Sequence, residues 1–116
     1  MDLYHVWFDL KPGERDLPFV ERVHTYLGHL ASEKKIESYR ITRRKLGFGP
    51  PSLGEFHVII EVSGLAQLDT AFQYVGTRSG AVEGFHAAVN QHVSNVTFAL
   101  YRDFPDPFRE TGSEHF

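Results

Sequence analysis

The sequence predicts one α+β domain whose elements run β-α-β-β-α-α-β, with a four-stranded antiparallel sheet carrying its helices on one face. Three observations predict it. Four segments alternate apolar and polar residues with a period of two, as half-buried strands do. Apolar residues recur at helical spacing after the first strand and again after the third. Glycine and proline clusters separate the segments and break both periods.

Leu3 to Leu10 alternates, with Tyr4, Val6, Phe8 and Leu10 on one side and Leu3, His5, Trp7 and Asp9 on the other. Pro12-Gly13 ends this strand. Asp16 is a candidate N-cap, and Pro18 falls in the first turn, where its missing N–H costs nothing. Phe19, Val20, Val23, Leu27 and Leu30 then predict one amphipathic helix over 16–34. Ile36 to Lys45 alternates again, with Arg40, Thr42 and Arg44 on the polar side. LGFGPPSLG, residues 46–54, reads as a loop.

Glu55 to Val62 is the clearest strand, with Phe56, Val58, Ile60 and Val62 opposite Glu55, His57, Ile59 and Glu61. Leu65, Leu68, Phe72 and Val75 mark a short helix, and Val82, Phe85, Val89 and Val93 a second one, opened by Ser79. Val96 to Tyr101 is the last strand, with Thr97, Ala99 and Tyr101 on the polar side. Right-handed crossovers put the first and third strands in the centre and the second and fourth at the edges, which is the ferredoxin-like arrangement. Residues 1–103 are expected to form the domain and 104–116 an extended, proline-bearing tail.

With 116 residues, 41% hydrophobic and 23% charged, the chain has the size and composition of one globular domain with its own core. A net charge of -3 gives no electrostatic pull toward nucleic acid or an anionic membrane. Without cysteine, disulfides and thiolate metal sites are excluded. No apolar run approaches a membrane-spanning length, and the N-terminus has no signal-peptide pattern, so the cytoplasm is the expected location.

The apolar side of every strand must face the helices. The other side combines His5, Trp7, Arg40, His57, Ile59 and Tyr101 with further charges. A sheet face carrying large aromatics meets a partner or a ligand, and a symmetric second copy is the cheapest partner.

The element order, the length and this half-polar face resemble the dimeric α+β-barrel superfamily, which includes stress-responsive A/B-barrel proteins and antibiotic-biosynthesis-type monooxygenases. More narrowly, LYHVWFDLKPG, RRKLGFGPP, GEFHVIIEV and NVTFALYRDFPDP resemble a family of small bacterial proteins of unknown function. The resemblance implies a homodimer whose two sheets face each other. It implies no activity.

His5 and His57 are the candidate catalytic residues, because imidazole exchanges protons near neutrality. The plainer role for them is hydrogen bonding at a dimer interface. Trp7 and Tyr101 are candidates to stack on a flat ligand, or to anchor an interface. Arg40 is a candidate to hold an anionic group, against an ion pair with Glu55 or Glu61 across the sheet.

No metal is expected, because Glu55 and Glu61 sit at opposite ends of one strand rather than in a cluster with the histidines. No cofactor is expected either. His86 on the last predicted helix resembles the haem-holding histidine of haem-degrading relatives, but the asparagine and tryptophan that accompany it there have no match here. Residues 34–45 hold six of the twelve basic residues, read as a solvated edge strand. The third strand lacks the basic and aromatic signature with which modules of this order bind RNA, so nucleic acid is not an expected partner.

Overall fold

The computed structural model describes residues 1–76 and 91–105. Six elements follow in the order β1 (Asp2–Leu10), α1 (Asp16–Ser32), β2 (Ser38–Arg43), β3 (Phe56–Val62), α2 (Leu65–Gly76) and β4 (Val93–Arg102). The sheet order is β2-β3-β1-β4 with every pairing antiparallel, so the first and third strands are central as expected. Most of the helix predicted over 79–93, with His86, lies outside the described residues, as does the tail beyond Pro105.

The helix side of the sheet holds the core. Phe8, Phe56, Val58 and Val62 meet Phe19, Val23, Leu27 and Leu30 of α1, and Leu68 and Ala71 of α2. Phe19 and Val62 are wholly buried. Apart from Ala71 these are residues whose spacing predicted the elements, and their burial holds helices and sheet together. Leu65 and Phe72 of the stripe predicted for α2, and Val96, Phe98 and Leu100 of the predicted inner side of β4, are exposed instead. Ile36 is buried too, but in the turn ahead of β2, so the second strand is shorter than its alternation suggested.

Two element ends differ from expectation. Asp16 is the first helical residue rather than the cap; Arg15 holds the extended cap position. The Asp16 carboxylate accepts from the Leu17 N–H at 2.7 Å and from Arg43 at 2.9 Å, and these bonds, its own backbone amide included, hold its pKa low. Val93, read as the end of a helical stripe, starts β4 and pairs with Leu10. Valine fits either period, and the difference comes from a bulge. The β1–β4 register shifts between Trp7 and Asp9, and Asn95 takes a positive φ of 53° there. The bulge adds one residue to β4 and lets the ladder run on past the point where alternation breaks.

The β2–β3 connection is a built structure. The Phe48 N–H donates to the Lys45 carbonyl at 3.0 Å, closing a turn whose central residues, Leu46 and Gly47, both have positive φ (56° and 70°). Arg44 donates from Nη2 to the carbonyls of Pro50 (3.0 Å) and Leu53 (2.7 Å). A side chain at Gly49 would sit 2.6 Å from the Arg44 Nε. Gly54 lies against β1 so closely that a Cβ would fall 2.3–2.6 Å from the Phe8 backbone. No side chain fits there without moving the strand or the loop.

Candidate functional site

Because β1 alternates, its odd residues all leave the core on the open face. The register then decides their neighbours. Trp7 stands directly opposite His57, and His5 opposite Ile59, so His5 and His57 meet on the diagonal. Tyr101 on β4 pairs with Leu3, one step diagonally from His5.

The four side chains form one cluster. His5 Nδ1 and His57 Nε2 are 2.8 Å apart, with ring centroids 5.1 Å apart and planes only 18° from parallel. Two rings in that relation meet edge to edge through a single hydrogen bond. The Trp7 indole lies parallel to both, 4.4 Å from His57 at 7° and 5.4 Å from His5 at 12°. Tyr101 meets His5 at 5.0 Å and 72°, edge to face. The Thr42 hydroxyl donates to the His57 carbonyl at 3.1 Å and so ties β2 to the same spot. All four aromatic side chains keep access to solvent, and Tyr101 is 61% exposed.

The pair has a definite proton inventory. A bond between two imidazoles needs one N–H and one bare nitrogen, so both rings cannot be charged while it persists. With both neutral, one outer nitrogen (His5 Nε2 or His57 Nδ1) carries a proton and the other does not. The pair is therefore donor at one end and acceptor at the other, and moving the shared proton is the middle step of exchanging those ends. Burial lowers the pKa of both histidines, and for His57 the neighbouring His5 lowers it further. Both effects favour the neutral pair.

Arg40 is not part of the cluster. It pairs with Ile59 on β3, which separates it from His5. The ion pairs expected for it are not formed. Glu55 lies at 3.1 Å from Arg43, and Glu61 accepts from Ser38 at 2.9 Å. Arg43 is on the helix side, over the Phe56 ring at 5.0 Å, so Glu55 is drawn round the strand end and off the open face. Asp9 is also structural: it accepts from the Glu55 N–H at 2.8 Å and from Asn95 at 3.1 Å, fixing the bulge. Among the described residues no three His, Asp or Glu side chains lie together in a way that could hold a metal ion.

Sequence reasoning missed a second feature. A partly open apolar pocket of about 320 Å³ lies on the helix side of the sheet, lined by Tyr4, Tyr26, Leu30, Phe72 and Phe98 among others. Burial pushes the Tyr26 hydroxyl up to about 12 and raises that of Tyr4 as well. Tyr4 was legible on the apolar side of the first strand, Tyr26 was not among the residues of the first helical stripe, and nothing in the periods signals the pocket.

The whole chain, residues 1–116, matches the model of a family of unknown function, DUF6614, and the protein belongs to that family. Solved structures share its fold. An Arabidopsis thaliana protein, At3g17210, superposes with a TM-score of 0.69 at 8% identity, over 89% of this chain and 95% of that one. A dimeric ferredoxin-like protein of unknown function from Jannaschia sp. CCS1 gives 0.64 at 13% identity, over 89% and 100%. Another such protein, from Thermobifida fusca YX, gives 0.58 at 16% identity, over 87% and 90%. No curated protein matches the chain. Among the described residues no helix is long and apolar enough to cross a membrane.

Proposed function

We propose that the protein is a homodimer of the dimeric α+β-barrel kind, joined through its open sheet face. Within it, the His5–His57 pair is the proton-transfer centre of a site for a small, flat, anionic or aromatic ligand. One observation carries the reading: two coplanar imidazoles share a 2.8 Å hydrogen bond beside a parallel indole. In this reading Trp7 and Tyr101 stack on the ligand and the pair gives and takes protons. Arg40 has no ion pair or hydrogen bond among the described residues, and it supplies the positive charge at the rim. The dimeric neighbours of the same fold support the second copy.

Trp7 is the sole tryptophan and serves as the probe. Haem, flavin, phenols and quinones are titrated against the pure protein. Saturable quenching by one class, lost in His57→Ala and weakened in Arg40→Ala, is the expected result. Emission that no ligand alters would sink the ligand reading.

The self-contained hydrogen bond favours a second reading, in which the face is a structural interface and nothing more. There, His57→Ala weakens the dimer and has no other effect. In the first reading the variant dimer persists and ligand binding is lost.

A further inference from the structure

We propose that the β2–β3 loop of each subunit closes the His5–His57 site of the other, with Leu46 and Phe48 as the side chains inserted. The inference rests on the dimer proposed above and adds to it a component of the site that the partner supplies.

Three observations point to it. Leu46 and Phe48 are each 81% exposed, more than any other large apolar side chain described. An exposed pair on a loose loop would mean little. This loop is held by the Arg44 guanidinium on two carbonyls and closed by its own turn. The two side chains are thus presented in a fixed conformation, at low ordering cost on binding.

The second observation is backbone strain. Leu46 occupies the left-handed region at φ 56°, where asparagine or glycine is the unstrained choice. The turn's hydrogen bond from Phe48 to Lys45 offsets part of that cost in the single chain, but the leucine side chain, held in water, offsets none of it. Strain of this kind marks segments whose conformation serves a contact.

The third is position. β2 ends at Arg43, and Arg44 just beyond it holds the loop against the end of the sheet through the carbonyls of Pro50 and Leu53. The loop also leaves the sheet beside Thr42, which pairs with His57. It therefore leaves the end of the sheet nearest Trp7 and His57, within reach of a second copy laid on the open face. The loop and the open face are one continuous surface. A second copy is the occupant that brings both halves, an aromatic face to receive and an apolar loop to insert. It also explains what walls the site: in one chain, nothing described covers Trp7 and the histidine pair from the solvent side.

The test reads Trp7 emission and needs no ligand. The double variant Leu46→Ser, Phe48→Ser changes only exposed side chains, so circular dichroism should match the wild type. Its Trp7 emission should shift to the red, and its dimer dissociation constant should rise roughly tenfold or more, as expected for two large apolar side chains left unburied. Mixed dimers then assign the loop to the partner. One subunit carries Trp7→Phe with the natural loop; the other keeps Trp7 and carries the double loop variant. Two different tags isolate the mixed species. Emission restored to the wild-type position supports insertion from the partner. Emission still shifted in the mixed dimer, or unshifted in the double variant, overturns the proposal. A wild-type chain that light scattering finds monomeric overturns the dimer itself. A stable dimer whose Trp7 ignores the loop overturns the loop's role alone.

Discussion

At the scale of single residues, the histidine pair makes a pH prediction whose sign is fixed. Burial lowers both pKa values below the ordinary 6.5. Between the folded and ordinary values the unfolded chain binds more protons than the folded one, so stability rises with pH there. The stability is in place above pH 6.5 and is lost as pH falls through the lowered folded values. Arg40, Glu61 and Tyr101 share the face with the pair, Asp9, Arg44 and Glu55 are bound at its end, and no carboxylate accepts from either imidazole among the described contacts. Thermal melts from pH 8 to pH 5 should show the melting temperature falling, and His5→Gln with His57→Gln should flatten that fall. A wild-type profile flat across the range would mean that the pair is not neutral in the folded protein. The residue types of this cluster were legible in the sequence, because alternation alone puts His5, Trp7 and His57 on one face. Their contacts were not. A hydrogen bond between positions 5 and 57 depends on the β1–β3 register, and alternation is unchanged when that register slips by two.

At the scale of elements, the ends and connections carry what periodicity does not. Arg44, Glu55 and Asp9 all read as open-face residues, yet each is drawn into holding a strand end or loop. Strand ends twist and bend toward whatever satisfies their backbone groups, so alternation fails there first. Two substitutions measure these ties. Arg44→Met removes a charged donor from two loop carbonyls, and should cost about 1–3 kcal/mol by denaturant unfolding. Its amide exchange should quicken over residues 46–54 and not in β1. Gly54→Ala forces a methyl group into the Phe8 backbone and should cost about 2 kcal/mol or more. A neutral Gly54→Ala would show that loop and strand lie further apart than described.

At the scale of the molecule, the fold was the most legible part. Four alternating segments, helical stripes and the handedness of crossovers gave the strand order β2-β3-β1-β4 without any contact being known. The core followed, since Phe19 and Val62 lie on the predicted apolar faces and are wholly buried. Phe19→Ala should accordingly cost about 3–5 kcal/mol, the loss of a large ring and the cavity it leaves. A much smaller loss would mean that the helix closes over the gap. What the sequence could not supply is the surroundings of the open face. Hydrophobic patterning separates inside from outside, but a face with both aromatic and charged residues satisfies neither rule, and its meaning depends on a second body.

The alternation of β1 has a consequence for how the molecule tolerates insertions and deletions. Phe8 is buried in the core, and Trp7 beside it belongs to the cluster. Removing one residue within this strand would exchange the two sets, sending the indole inward and the phenylalanine out. Site and core are thus read from the same strand in the same frame. A chain whose β1 is out of frame would fail to fold before it could present a misplaced site, so folding itself acts as the error check on the histidine pair.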